Sequence, residues 1–303
     1  MIEESVHDFK GFHSGFVGLL GPPNAGKSTL LNRLLGTKIS ITSRKPQTTR
    51  NRILGIVHRP QSQLVFIDTP GVHRTRQPLN IRIVDTALSA LGDVDLVLLL
   101  ADAKRPDRQT EAFLLERLSE TRKPVILALN KIDKIASVRL IALLDQWSQR
   151  FAFAHLLPIS ALHGTQVEDL LQVLENMLPE GPPFYGTDML TDSAERFIVA
   201  ELIREKVFRL TGEEIPYATA VTVDVFREAQ RGKPIHITAT IHVERDSQKG
   251  IVIGRGGEKL KQIGRAARED IERMLAAKVY LELFVRVQKN WTRDTRAMRK
   301  FGY

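Results

Sequence analysis

The sequence predicts an α/β domain with a mostly parallel sheet and helices on both faces, followed by a smaller α+β domain. Short apolar runs at 16–21, 64–67, 94–101, 125–129 and 153–159 alternate with amphipathic stretches at 28–36, 107–121, 136–150 and 166–178. That alternation is the pattern of parallel strands joined by helical crossovers. The segment Pro179-Glu-Gly-Pro-Pro-Phe-Tyr-Gly186 breaks both helix and strand. Beyond it the order changes to a helix over 194–211, strands near 217–226 and 235–244, a glycine loop, a helix over 258–276 and a strand over 279–287. At 303 residues the chain has material for two cores. We therefore expect an N-terminal tail at 1–14, a first domain at 15–179, a linker at 180–192 and a second domain at 193–303.

Composition narrows the function classes. The longest apolar run, Leu96 to Ala101, is far short of the ~20 residues of a membrane-spanning helix. The opening residues MIEESVHDFK are acidic ahead of any apolar stretch, the wrong order of charge for a secretory or transit signal, so a cytoplasmic protein is expected. With no cysteine, disulfide frameworks, thiolate zinc sites and cysteine nucleophiles are excluded together. The net charge of +9 is concentrated at one end, because residues 249–303 hold fourteen Lys plus Arg against six Asp plus Glu. A polyanionic partner is expected to meet that end, although a solvated helix face gives the same composition.

In the first domain, the first predicted strand and helix enclose Gly21-Pro-Pro-Asn-Ala-Gly26-Lys27-Ser28, which fits the phosphate-loop pattern G-x-x-x-x-G-K-[ST]. Its glycines let backbone N–H groups close around phosphate oxygens, and the helix start adds a field that favours the anion. Lys27 would neutralise the outer phosphates and Ser28 would offer a hydroxyl to Mg²⁺. The loop residues Gly21, Pro22, Pro23, Asn24, Ala25 and Gly26, with Lys27, Ser28 and Thr29, are the expected phosphate contacts. Asp68-Thr69-Pro70-Gly71 follows the next apolar run, 40 residues after Ser28. It sets a carboxylate at a strand tip, behind the metal's water shell, with the Gly71 amide near the γ-phosphate.

Asn130-Lys131-Ile-Asp133 follows another predicted strand. The Asp133 carboxylate can accept from guanine N1–H and the 2-amine, whereas adenine offers neither donor. Asn130 would brace the loop and the Lys131 stem would cover the ring. Ser160-Ala161-Leu162 would add the Ala161 amide against guanine O6. In this order and context, these residues resemble the G1, G3, G4 and G5 motifs of the TRAFAC class of P-loop GTPases. That resemblance implies a switch threonine in Ser43-Arg-Lys-Pro-Gln-Thr48-Thr49-Arg50. It favours Thr49 as the second Mg²⁺ ligand, with Thr48 the alternative beside it. The expected catalytic set is Lys27, Thr49, Asp68, Gly71 and Asn24. The metal set is Ser28 and Thr49, with Asp68 behind the metal's waters.

The second domain carries Ile251-Val-Ile253-Gly254-Arg255-Gly256-Gly257-Glu258, a G-x-x-G loop after an apolar turn and before an amphipathic helix. It resembles the nucleic-acid loop of a type II KH domain, in which the glycines let the backbone of a single strand pass close to the protein. Ile251, Ile253, Gly254, Arg255, Gly256, Gly257, Lys259 and Lys261 are the expected RNA contacts. The tail Lys289 to Tyr303 interleaves basic and aromatic residues. It suits either base stacking or docking through Trp291 and Phe301.

A P-loop GTPase domain joined to a type II KH domain resembles the Era-like GTPases over 16–303. GPPNAGKSTLLN, KPQTTR, DTPG, NKID, LPEGPP and VIGRGGEKLKQIG carry the likeness. The resemblance implies GTP hydrolysis with Mg²⁺, binding to the 3′ end of small-subunit ribosomal RNA, assistance in assembling the small ribosomal subunit, peripheral contact with the cytoplasmic membrane and a monomer. Two alternatives are a membrane-associated signalling GTPase whose KH domain binds protein, and a constitutive RNA-binding protein with a structural nucleotide. Val72 stands where many switch GTPases carry a glutamine. Intrinsic turnover is therefore expected to be slow, roughly 10⁻⁴ to 10⁻³ per second, and similar GTPases imply stimulation by K⁺ through Asn24.

Overall fold

The computed structural model describes residues 10–42, 52–69, 90–212, 215, 219–229 and 234–301. In the first domain the elements run β1 (His13–Leu20), α1 (Lys27–Leu35), β2 (Ile53–Arg59), β3 (Ser62–Asp68), β4 (Leu96–Asp102), α2 (Arg108–Ser119), β5 (Val125–Asn130), α3 (Ser137–Ser148), β6 (His155–Ile159) and α4 (Val167–Met177). The sheet order is β2-β3-β1-β4-β5-β6. All its pairings are parallel except β2 with β3. The sequence pattern predicts no strand at β2. Its buried residues run from Ile53 to Val57 with Gly55 between two apolar pairs, so no unbroken apolar run marks it.

Alternate strand residues feed two cores, as the pleat requires. Val17, Leu19, Leu64, Phe66, Leu98 and Leu100 pack with Leu30 and Leu31 of α1 and with Leu170 and Leu174 of α4. Leu20, Val65, Ile67, Val97, Leu99 and Leu127 face the other way, onto Leu114 and Leu118 of α2 and Trp147 of α3. The register then brings the carboxyl ends of the strands level. Leu19 stands beside Asp68, Asp102 beside Asn130, and Asn130 beside Ile159. In an open α/β sheet that rim is where ligands collect.

Residues 180–192 lie against the β2–β3 edge of the first domain. Gln63 Oε1 accepts from the Phe184 and Tyr185 amides (2.7 and 3.0 Å), Gln63 Nε2 donates to Tyr185 O (2.8 Å), and Ile56 N donates to Leu190 O (2.9 Å).

The second domain comprises α5 (Glu195–Leu210), β7 (Ala220–Arg227), β8 (Ile235–Val243), α6 (Asp246–Ile253), α7 (Glu258–Leu275), β9 (Val279–Val287) and α8 (Thr295–Lys300). β8 pairs antiparallel with β7 and parallel with β9. Val199, Leu202 and Ile203 of α5 and Ile263, Ala267 and Ile271 of α7 cover the face carrying Ile237, Ala239 and Ile241. One feature departs from the expectation, and another decides between two alternatives. The apolar turn at Ile251 to Ile253 is the last turn of α6, whose single fully buried apolar anchor is Val252, at 0% exposure. In the tail, Trp291 and Phe301 are buried against Ala220 and Met298, and Phe301 packs on the His242 ring at 4.5 Å. Trp291 and Phe301 therefore dock the tail to its own domain, the second of the two roles expected for it, and are removed from base stacking.

Candidate functional site

The loop between β1 and α1 is shaped by two close approaches. A Cβ on Gly21 (φ +149°) would stand 2.3 Å from Leu100 O, and one on Gly26 (φ +108°) 2.1 Å from Asn130 Nδ2. Neither position admits a side chain. Lys27 is buried, and its Nζ donates to Gly21 O (3.0 Å) and Pro22 O (3.1 Å) across the loop mouth. Burial pushes its pKa down to about 8, with Asp68 opposing part of the shift. An ammonium held only by carbonyls gains when phosphate oxygens arrive, because anions compensate its desolvation and carbonyl dipoles do so only in part.

Asp68 is fully buried and faces Lys27. Its Oδ2 accepts from Ser28 Oγ (3.0 Å) and Ser40 Oγ (2.7 Å). Oδ1 is buried without a hydrogen-bond partner among the described residues. Burial pushes the Asp68 pKa up, and Lys27 and the two hydroxyls pull it back. A hard divalent cation suits this donor set of a serine hydroxyl, a carboxylate oxygen in need of a partner and the adjacent phosphate cradle. The residues fit Mg²⁺, with Ser28 as ligand and Asp68 behind its waters.

At the base end, Asn130 ties three loops. Its Nδ2 donates to Ala25 O (2.8 Å), and its Oδ1 accepts from Lys131 N (2.8 Å) and Ala161 N (2.9 Å). Asp133 Oδ1 accepts from Ser160 Oγ (2.7 Å), and this bond holds its pKa below the usual carboxylate range. The second oxygen, Oδ2, has His163 Nε2 at 3.7 Å, beyond hydrogen-bond distance, and stays open to a base edge. Lys131 reaches back to Asn24 O and to Asp102 Oδ2, both at 2.5 Å, so its stem lies between the phosphate loop and the guanine loop. Thr69 donates to Leu19 O (2.6 Å), locking the strand tips together.

In the second domain the candidate RNA loop joins α6 to α7. Gly254 (φ +71°) has no room for a Cβ, which would meet that of Lys259 at 2.6 Å. Gly256 (φ +60°) and Gly257 (φ +80°) face open space. Arg255 and Lys261 are exposed and Lys259 is half-buried. Ile251 is 50% exposed beside them.

Comparison with known proteins gives two family matches, the 50S ribosome-binding GTPase family over 16–131 and the KH domain over 214–292. The GTPase Era of Geotalea uraniireducens is 52% identical over 97% of this chain and 99% of its own. This chain belongs to the Era family of GTPases. The Era of Lactobacillus helveticus is 48% identical over 97% of both chains. Among solved structures, a single-residue variant of Aquifex aeolicus Era bound to GDP·AlF₄⁻ superposes with a TM-score of 0.91 at 38% identity, over 96% of this chain and 99% of that one. An Era complexed with MgGDPNP and nucleotides 1506–1542 of 16S ribosomal RNA matches with the same score, identity and coverage.

The fold thus gathers the motifs of an Era GTPase at one rim, with Gly21 to Thr29, Asp68, Thr69, Asn130, Lys131, Asp133, Ser160 and Ala161 in mutual reach. Leu162, also expected there, is 56% exposed at its margin. Thr48, Thr49, Pro70, Gly71 and Val72 lie outside the described residues. Four contributors carry no signal in the sequence. Ser40 and Asp102 are described above. Asn32 Oδ1 accepts from the amides of Ile39 (3.0 Å) and Ser40 (2.9 Å). Arg33 donates through Nε to Ala161 O (2.6 Å) and through Nη2 to Leu162 O, pinning the guanine loop to α1. Asn32 closes the GPPNAGKSTLLN stretch without a role being readable from it, and the other three belong to no short motif, so tertiary contact is what identifies all four.

Proposed function

We propose that this Era-family GTPase is a GTP-driven switch that grips the 3′ end of small-subunit ribosomal RNA and assists assembly of the small subunit. The observation that carries this reading is full-length likeness to an Era solved with MgGDPNP and 16S ribosomal RNA. The open Gly256 and exposed Arg255 between α6 and α7 support it. Asp133 and Asn130 select guanine. Lys27 and the loop amides hold the phosphates, Lys27 opposing charge that grows on the transferring group. Ser28 and Thr49 would hold Mg²⁺, with Asp68 orienting its waters, and the ion would supply positive charge against the phosphates. The Gly71 amide is assigned to the γ-phosphate, as the motif implies, so loss of that group would release the segments that follow Asp68 and lead from Thr42.

The RNA half is tested by Arg255→Asp and Gly256→Asp in the full chain. Both positions are open, and aspartate tolerates the left-handed backbone of Gly256 better than most residues. Each should lower affinity for a single-stranded 3′-terminal ribosomal RNA oligonucleotide by at least about tenfold, since a phosphate contact becomes a repulsion. GTP affinity should not move. Retained RNA binding in both variants would remove the loop from the RNA site.

The slow chemistry expected without a glutamine after Gly71 is assigned to assistance by K⁺ at Asn24. Asn24 is exposed on the phosphate-loop rim with a left-handed backbone (φ +62°), and Lys131 holds its carbonyl. Hydrolysis should run faster in K⁺ than in Na⁺, and Asn24→Ala should erase the difference. Equal rates in the two salts would end the assignment.

A further inference from the structure

Residues 38–42, which follow the end of α1 at Gly36 and lead into the switch segment, touch both functional halves of the molecule. At the centre, Ser40 is fully buried and its hydroxyl donates to Asp68 Oδ2 at 2.7 Å, the oxygen that also accepts from Ser28. Its backbone has no slack. Asn32 accepts from Ser40 N and donates to Ser40 O (2.7 Å), and Ile39 and Ile41 on either side are buried at 2% and 0% exposure.

Two residues outward on each side, the same segment grips the second domain. Lys38 Nζ lies 2.7 Å from both Glu205 Oε2 on α5 and Asp270 Oδ2 on α7. Thr42 O accepts from Arg209 Nε and Nη2 (3.2 and 3.1 Å), and Thr42 Oγ1 accepts from Arg209 Nη2 at 2.9 Å. Glu205 is wholly buried and also meets Arg209, while Asp270 is shared with Lys206 and Arg273. Lys38 therefore bridges two buried carboxylates on two helices, and α7 is the helix that begins at the Gly254-Arg-Gly-Gly257 loop.

We infer that Ser40 is a positioning residue for the Asp68 carboxylate and that Lys38 carries its position to the RNA-binding helix. Asp68 Oδ2 already takes two hydroxyl donors. Filling the metal site makes Asp68 a partner of the ion's water and Ser28 a ligand of the ion, so the terms on which Ser40 is held must change. A short segment clamped at its centre passes that change to its ends, because packed elements shift as units. The physical requirement for coupling is an element biased from both sites, and residues 38–42 touch both.

This inference rests on the reading of Asp68 as the carboxylate behind Mg²⁺ and of the second domain as RNA-binding, and the test separates the three. In the full-length protein, affinity for the single-stranded 3′-terminal ribosomal RNA oligonucleotide is measured without nucleotide or Mg²⁺ and with a Mg²⁺-bound non-hydrolysable GTP analogue. The wild type should show a ratio of about fivefold or more, the lower end of ordinary allosteric coupling. Lys38→Met should bring the ratio within about twofold of unity while GTP affinity stays within about twofold of wild type, and Lys38→Arg should restore it. Ser40→Ala should lose the ratio too, and the double variant should be no worse than either single one, as expected of residues in series.

Amide exchange gives a second measurement that needs no RNA. Adding Mg²⁺–GTP analogue should alter exchange in both 38–42 and 258–275 of the wild type, but only in 38–42 of Lys38→Met. A wild-type ratio in Lys38→Met, or a response of α7 that survives it, overturns the inference. Absence of RNA binding in the wild type would instead sink the functional reading, and failure of Mg²⁺ to alter exchange around Asp68 would sink the metal assignment.

Discussion

Asp133→Asn should exchange guanine for xanthine as the preferred base. In the native site the carboxylate offers two acceptors, one steadied by Ser160 Oγ at 2.7 Å and the other left for the base. In the variant the same serine hydroxyl keeps the amide oxygen on its side, so the amide nitrogen must face the base edge. There it meets the guanine 2-amine donor to donor, whereas xanthine presents a carbonyl. Each hydrogen bond to a charged group is worth about 1.5–3 kcal/mol, so GTP affinity should fall on the order of a hundredfold or more. XTP affinity should rise in return. Competition binding with the two triphosphates measures both changes, and unchanged GTP affinity would move the base-reading group elsewhere.

Lys27→Met should show two large effects of opposite sign. The ammonium is buried against carbonyl oxygens with its pKa pushed down from 10.5 to about 8, so in nucleotide-free protein it is a cost to folding. Between about pH 8 and 10.5 the unfolded lysine keeps its proton and the folded one loses it. The unfolded state then binds more protons, and wild-type stability rises with pH across that window. The native penalty at neutral pH is on the order of 3 kcal/mol, at about 1.4 kcal/mol per pH unit.

A methionine of similar length removes that penalty, so nucleotide-free Lys27→Met should be more stable than wild type at about pH 7 and the two should converge above about pH 10. Bound triphosphate reverses the order. Without the cation, GTP affinity should drop by a factor on the order of 10³ or more, the scale of losing a charge pair inside a dry site. Denaturant titrations with and without GTP across pH check both halves. A variant less stable than wild type at neutral pH without nucleotide would show that the lysine is structurally required rather than strained.

The parts of this molecule that can be read from sequence are those whose chemistry is local. Gly21 to Ser28, Asp68, Asn130 to Asp133 and Ser160-Ala161 each require particular residues at fixed spacing on a strand tip, and the parallel sheet brings those tips level. The strand at Ile53–Arg59 is harder to read than β3 because its apolar residues are two pairs split by Gly55 and no site motif follows it. The last turn of α6 reads as an irregular apolar turn because the anchor that seats it is Val252 alone. The aromatic spacing of the tail fits two outcomes, and only packing distinguishes them. Arg33, Asn32, Ser40 and Lys38 are illegible for another reason, since each acts through a partner 7 to 232 positions away.

The stretch that joins the two halves of the chain also hides the open border of the first sheet. β2 is the outermost strand, and the Ile56 amide, which would otherwise invite a strand from another molecule, is occupied by Leu190. Tether and bumper are one piece of polypeptide. A protease that severed it near Leu190 would therefore do more than part the domains, because the GTPase half would be left with a bare, adhesive flank. The linker thus shields the sheet edge of the GTPase half as well as joining it to the RNA-binding half.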